Sequence, residues 1–141
     1  MSTSSNHSVY AQTLLRLSFG TMLISHGLLK VFVFTVPGTV QFFGGLGLPA
    51  IAAYATIFGE LVGGTAILLG LYTRLAAALT IPLLLGATWA HSGNGWVFSS
   101  PNGGWEYPAY LALIAVVVAL QGAGKFAIGS IGFIDRLFKR S

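Results

Sequence analysis

The sequence predicts an all-α fold: an integral membrane four-helix bundle with short loops and an amphipathic C-terminal tail. Hydrophobic residues make up 55% of the 141 residues and charged residues only 7%, whereas a soluble domain has about 25% charged residues. The chain also contains 19 glycines, and glycine is more frequent in membrane helices than in soluble ones. At about 20 residues per span, the length allows four membrane helices in a single domain over residues 1–141.

Four apolar stretches separated by turn residues are the predicted spans. They cover residues of about 10–30, 48–70, 73–91 and 105–123. Four glycines between Pro37 and Gly47 predict an interfacial loop or a broken helix after the first span. The short turn at Gly70–Thr73 makes the second and third helices antiparallel neighbours. Pro82 should kink the third helix, which neighbouring membrane helices can accommodate.

The distribution of basic residues predicts the orientation. With four spans, both termini and the Gly70–Thr73 hairpin share one side, which holds Arg74, Lys125, Arg136, Lys139 and Arg140. The positive-inside rule places this side in the cytoplasm and the loop 92–104 outside. Residues 128–140 carry apolar and basic residues on opposite helical faces, which predicts an amphipathic helix on membrane lipid, with a loose basic tail as the alternative. Residues 1–8 lack Lys and Arg, so no cleavable signal peptide is expected.

Composition also excludes several kinds of site. The chain has no cysteine, which excludes disulfides, thiolate metal sites, iron–sulfur clusters and dithiol redox chemistry. It has no GxGxxG dinucleotide fingerprint, and we predict no metal site. The net charge is +4, but the basic residues form no patch of the kind that binds nucleic acid.

Two ionisable residues within the first two spans form a predicted pair. Glu60 lies near the bilayer midplane, where a charged side chain costs free energy and indicates a function by default. Arg16 lies about 9 Å from the cytoplasmic end and Glu60 about 15 Å, at about 1.5 Å per residue, so the two side chains are expected to meet. The pair is either a structural ion pair or includes a carboxylate that carries a proton or binds a ligand.

A second polar group is predicted at the outer end of the bundle. His26, His91 and Glu106 are the candidate catalytic residues. Lys30, Trp105 and Tyr107 are the candidate substrate-binding residues of the same outward-facing pocket. Each also has a structural interpretation: His26 can bond to a neighbouring backbone group, Lys30 and Arg16 can extend to the interfaces, and Glu106 can cap the fourth helix.

Several of these residues stand in motifs that resemble the DoxX family of small four-helix membrane proteins. The motifs are Arg16 with His26-Gly27 and Lys30, Phe43-Gly44-Gly45-Leu46-Gly47-Leu48-Pro49, Glu60 with Gly63-Gly64, Leu69-Gly70-Leu71-Tyr72-Thr73-Arg74, and His91 followed by Gly103-Gly104-Trp105-Glu106-Tyr107. The resemblance implies a bacterial or archaeal inner-membrane protein. The resemblance also implies a link, known for some members of the family, to quinone-dependent oxidation of sulfur compounds or to oxidative-stress complexes. One departure is Gly129, where the family usually has Asp.

These observations lead to one preferred function and several alternatives. The preferred one is a component of a quinone-linked oxidoreductase, with no covalently bound cofactor, that binds quinone and receives electrons from a redox partner protein or a soluble substrate. The alternative is a non-catalytic membrane subunit or small-molecule binding protein. A small proton-coupled transporter fits less well, since its carboxylate would be expected in the first helix. A haem held by His26 and His91 and a homo-oligomer also stay open.

Overall fold

A computed structural model describes residues 3–129, with side chains from residue 6 onwards. The elements are α1 (Thr3–Leu28), a first π turn (Leu29–Val33), α2 (Val36–Gly45), α3 (Ala50–Phe58), a second π turn (Gly59–Gly63), α4 (Gly64–Leu69), α5 (Thr73–His91), a 3₁₀ turn (Ser92–Asn94) and α6 (Glu106–Gln121). Over these residues the chain forms helices and one isolated bridge, between Leu71 and Gly129, but no strand. The all-α class is confirmed.

The first span and the glycine-rich segment after it form a bent pair of helices. Helix α1 begins at Thr3, well before the predicted start at about residue 10. The predicted loop or broken helix at 37–47 is a helix, α2, and the two helices meet at an angle of 100°. The backbone turns at Thr35, whose φ is 65° and whose hydroxyl accepts a hydrogen bond from Gly38 N at 3.2 Å.

The second span is interrupted by the second π turn. Helices α3 and α4 flank this turn and together run from Ala50 to Leu69. Helix α4 ends at Gly70 in the left-handed conformation (φ 72°), and α5 begins at Thr73. This short connection confirms the predicted hairpin. Helix α5 has the predicted bounds and continues through Pro82 without a break.

Close contact between α1 and α4 determines how the bundle packs. A Cβ atom built on Gly20 would lie 2.9 Å from the carbonyl oxygen of Gly64, and one built on Gly64 would lie 2.9 Å from Leu23 Cβ. Only glycine allows the two backbones to approach this closely. The buried core then continues across α5 and α6, and consists of Phe19, Leu23, Ile67, Ala77, Leu84, Leu111, Ala112, Ala115 and Val118.

Two helical stretches are long and apolar enough to cross a membrane, Ala50–Leu69 and Thr73–Asn94. A third is added if the bent pair Asn6–Val33 and Val36–Gly45 counts as one span. Helix α6 is apolar but has only 16 residues. The described residues thus support a helical membrane protein with two to three spans, and the count of four stays a prediction. The predicted tail helix at 128–140 lies outside the described residues, apart from its first two positions.

Candidate functional site

Arg16 does not meet Glu60, and the predicted pair is wrong. The Arg16 side chain is completely buried, and each of its five N–H groups donates to a backbone carbonyl. The acceptors are Ala123 O (2.7 Å), Ile67 O (3.1 Å), Leu68 O (2.5 Å), Lys125 O (2.8 Å) and Phe126 O (3.2 Å). Because a guanidinium has five N–H donors in a planar fork, Arg16 has no donor left for a carboxylate or a ligand.

The reason for this error is the relative height of the two residues. Arg16 lies beside the last turn of α4, whose terminal carbonyls have no partner within the helix and favour a cation. Glu60 lies beside Gly27 instead: a Cβ built on Gly27 would be 3.3 Å from Glu60 Cβ. Arg16 and Gly27 are eleven positions apart in α1, which corresponds to about 16 Å of helix.

Glu60 is paired with Lys30. Lys30 Nζ lies 2.9 Å from Glu60 Oε1, and the exposed fractions of the two side chains are 19% and 10%. Lys30 belongs to the first π turn and Glu60 to the second. A π turn inserts one extra residue into a helix and is frequent at functional sites. Both members of the ion pair are therefore placed by irregular helical turns that face each other.

This ion pair lies in the wall of a cavity of about 560 Å³, a volume within the range of about 300–1,000 Å³ that is typical of small-molecule sites. Its wall is formed by α1, both π turns, α5, the loop after α5 and α6. We call this space the cavity. Its polar lining residues are His26, Lys30, Glu60, His91 and Tyr107, and the apolar or small ones are Met22, Leu23, Leu84, Ala87, Phe98, Gly103, Gly104, Pro108 and Leu111.

The two histidines of the cavity have the same hydrogen bond. His26 Nδ1 lies 2.8 Å from Met22 O, and His91 Nδ1 lies 2.8 Å from Ala87 O. Because a carbonyl oxygen only accepts, each Nδ1 carries the hydrogen and donates it. In the neutral imidazole, Nε2 is then a free acceptor on both rings. The His26 ring also stacks on Tyr107, with 5.8 Å between the ring centroids.

Two buried polar atoms of the cavity lack a hydrogen-bond partner in the described part of the protein. They are Glu60 Oε2 and the Tyr107 hydroxyl. Such an atom costs free energy unless a partner satisfies it, because burial removes the water that would otherwise bind it. Both atoms belong to residues that line the same cavity.

Glu106 and Trp105 lie outside the lining, which corrects the prediction that they face the ligand. The carboxylate of Glu106 accepts a hydrogen bond from Phe98 N at 3.0 Å. The Trp105 ring contacts Trp96 edge-to-face, with 4.5 Å between centroids. Both residues hold the loop after α5, and this loop places Phe98 in the cavity wall. The structure brings together the other predicted residues, His26, His91, Lys30 and Tyr107.

Sequence reasoning missed that Glu60 belongs to this site. Helical-wheel arithmetic uses 100° per residue, and the extra residue of a π turn shifts every later position. No residue pattern marks the two π turns. One available signal was Gly27, which lies one position after His26 and gives the helix carrying Glu60 room to approach.

Comparison with known proteins identifies the family. The DoxX family model matches residues 11–93, more than half of the chain. The chain belongs to the DoxX family. A DoxX relative from Bacillus subtilis (strain 168), named "Putative oxidoreductase CatD", is 34% identical over 116 residues, which cover 82% of this chain and 81% of the relative. No solved structure matches the chain.

The range that matches the DoxX model contains most of the polar part of the cavity. His26, Lys30, Glu60 and His91 all lie between residues 11 and 93, and Tyr107 lies beyond that range. Arg16 lies within it too. The matched DoxX segment therefore carries both the ion pair and the buried guanidinium.

Proposed function

We propose that this DoxX protein is a membrane component of an oxidoreductase that binds a small quinone-class molecule in the cavity. One observation carries the proposal: the cavity contains two buried polar atoms without a partner, Glu60 Oε2 and the Tyr107 hydroxyl, beside two histidines with free Nε2 atoms. The printed name of the Bacillus relative supports oxidoreductase chemistry in general terms. The link of some DoxX members to quinone-dependent oxidation supports the choice of ligand class.

The donor and acceptor groups of the cavity suit a quinone ring. The Tyr107 hydroxyl and the ammonium group of Lys30 are donors that suit the two carbonyl oxygens of the oxidised form. Glu60 Oε2 and the histidine Nε2 atoms are acceptors that suit the hydroxyl groups of the reduced form. Leu23, Leu84 and Leu111 supply apolar wall. A bound quinone would take up two electrons and two protons per reduction.

The residues of this chain would bind and orient the ring and hold protons. Glu60 and the two histidines can each accept a proton beside the ligand. The electrons must come from elsewhere, since the chain has no cysteine, so we propose a redox partner protein or a soluble substrate as the donor. Phe98 and the loop after α5 would separate the ring from water.

We also propose that the cavity faces the outside of the inner membrane and that both termini are cytoplasmic. The charge distribution along the sequence supports this orientation. Single cysteines can test it, because the chain has none. In intact cells an impermeant thiol reagent should label Ser99→Cys and leave Ser4→Cys unlabelled until the membrane is opened. Labelling of Ser4→Cys in intact cells would contradict the orientation.

The test of function is quinone binding by purified protein in detergent. The probe is tetramethyl-1,4-benzoquinone, monitored by tryptophan fluorescence, and the variants are His26→Gln and His91→Gln. We expect each variant to keep its melting temperature and to bind the probe at least tenfold more weakly. The matched control is His7→Gln, because His7 is exposed and lies outside the cavity.

Two outcomes would contradict the proposal. If the folded wild-type protein does not bind the probe in either redox form, the cavity does not hold a quinone-class ligand. If the double variant His26→Gln with His91→Gln is stable and binds the probe as well as wild type, binding occurs elsewhere. A non-catalytic membrane subunit would then be the better description.

A further inference from the structure

The cavity contains hydrogen-bond acceptors that only a donor can satisfy. Three atoms accept only: Glu60 Oε2, and Nε2 of His26 and of His91 when the rings are neutral. On the donor side, Lys30 donates one of its three N–H groups to Glu60 Oε1 and keeps two. The Tyr107 hydroxyl can act in either direction. The three acceptors can therefore be satisfied only by a ligand that brings hydrogens with it.

Glu60 Oε2 is the least replaceable of these acceptors. The residue is 8% exposed, and its other oxygen is held by Lys30 at 2.9 Å. Paired with the ammonium group of Lys30, the carboxylate of Glu60 accepts hydrogen bonds and donates none. Gly27 on the facing helix allows the two helices to approach closely beside Glu60, since a Cβ at Gly27 would lie only 3.3 Å from Glu60 Cβ. In this ion pair Oε2 is the free acceptor, and the contact of Oε1 with Lys30 Nζ positions the carboxylate.

The two redox forms of a quinone differ in how they meet such an acceptor. The reduced form has hydroxyl groups and can donate to Glu60 Oε2 and to a histidine Nε2. The oxidised form has only carbonyl oxygens at these positions, so it would leave Oε2 without a partner and place a lone pair near it. Sites built to hydrogen-bond a hydroxyl strongly reject analogues that lack it, because a buried polar group then remains unpaired.

We infer that the cavity selects the hydroxyl-bearing, reduced form of its ligand and that Glu60 is the residue that determines this selectivity. The inference rests on the proposed function and makes it more specific. Lys30 is the positioning residue, since it holds Oε1 and leaves Oε2 free. A tenfold preference for the reduced form raises the midpoint potential of the bound two-electron couple by about 30 mV.

The experiment compares two molecules with one carbon skeleton, tetramethyl-1,4-hydroquinone and tetramethyl-1,4-benzoquinone, under anaerobic conditions. The readout is the dissociation constant of the benzoquinone divided by that of the hydroquinone, measured for the wild-type protein in detergent. We expect the hydroquinone to bind at least tenfold more tightly. A ratio near one, with both forms bound, would overturn the inference and leave the proposed function standing. Binding of neither form by folded protein would overturn the proposed function itself.

Variants then test whether Glu60 determines the preference for the hydroquinone. Glu60→Gln should reduce the ratio to less than about threefold, because the amide can present an N–H to a carbonyl oxygen of the oxidised form. Glu106→Gln is the matched control: it makes the same change at a carboxylate outside the lining and should leave the ratio unchanged. If Glu60→Gln folds and keeps the wild-type ratio, Glu60 does not determine the selectivity.

The inference stays testable if Glu60→Gln fails to fold, because the wild-type ratio needs no variant. His91→Phe provides a second measurement, since it keeps an aromatic ring in place while removing one acceptor. We expect this variant to lower the ratio by weakening hydroquinone binding more than quinone binding. Equal weakening of both forms would show that the ring contributes contact area and no selectivity.

Discussion

Two buried polar centres in the described part of the bundle differ in whether their hydrogen bonds are complete. We call the first the closed end: Arg16 and the five backbone carbonyls that it contacts. Every N–H of Arg16 has an acceptor there. The second is the cavity, where Glu60 Oε2 and the Tyr107 hydroxyl lack partners among the described residues. Both centres contain a buried charge, yet only the cavity can offer a ligand a hydrogen bond.

This difference separates a structural charge from a functional one. At the closed end, Arg16 joins the last turn of α4 to the segment after α6, and Thr13 accepts a hydrogen bond from Lys125 N at 2.8 Å. The backbone of residues 128–129 adds hydrogen bonds to Leu69, Gly70 and Tyr72. A centre whose buried polar groups all have hydrogen-bond partners stabilises the fold. A centre with unpaired polar groups lowers the free energy of unfolding, and the rest of the fold must offset that loss.

The largest expected effect is the loss of Arg16. Arg16→Met leaves several buried carbonyls without a donor, at about 1–3 kcal/mol each, so we expect a loss of more than about 3 kcal/mol of unfolding free energy. The measurement is thermal unfolding in detergent. Arg74→Met is the control, because Arg74 is exposed on α5 near the same end. Equal stability of the two variants would mean that the closed end is not a stabilising centre.

The next effect is the coupling between Lys30 and Glu60. Lys30→Met and Glu60→Gln each leave the partner without its ion pair, so each should destabilise the fold. The double variant should be less destabilised than the sum, with a coupling energy of about 1–3 kcal/mol. Strict additivity in the unfolding free energies would show that the 2.9 Å contact carries no energetic coupling.

Two glycines of α1 allow a finer comparison of the centres. A Cβ on Gly20 would lie 2.8 Å from Leu68 N, a backbone atom, whereas a Cβ on Gly27 would lie 2.7 Å from a terminal methyl carbon of the flexible Leu61 side chain. Gly20→Ala should therefore cost about 1–3 kcal/mol, and Gly27→Ala should cost less. Gly86→Ala is the control because open space surrounds that position. A larger loss for Gly27→Ala would reverse this ranking.

The smallest expected effect concerns the loop after α5, which contributes Phe98 to the cavity wall. Glu106→Leu removes the acceptor of Phe98 N, and a single such bond contributes about 0.5–1.5 kcal/mol. Hydrogen exchange at the Phe98 amide should become faster, while exchange in α4 stays as in wild type. Ser99→Ala, in the same exposed loop, should change neither. Unaltered exchange at Phe98 would show that Glu106 does not hold the loop.

Much of the architecture follows from the sequence alone. Low charge and long apolar stretches determine a helical membrane protein, since a helix satisfies its own backbone in lipid. Gly70 and the short turn predict the α4–α5 hairpin, and the bounds of α5 follow from its apolar run. His26, His91, Lys30 and Tyr107 were also predicted to share a pocket, because each is a polar residue near the same end of an apolar helix.

The partners of the buried charges were decided only by the tertiary structure. Arg16 donates to backbone carbonyls and does not contact Glu60. Those carbonyls belong to residues 123–126 and to the end of α4, two segments whose proximity no spacing in the sequence predicts. Glu60 is paired with Lys30, and each of the two residues lies in a π turn, whose extra residue departs from regular helical spacing. Residue types thus determine which groups must be buried, whereas helix irregularity and relative height decide which of them meet.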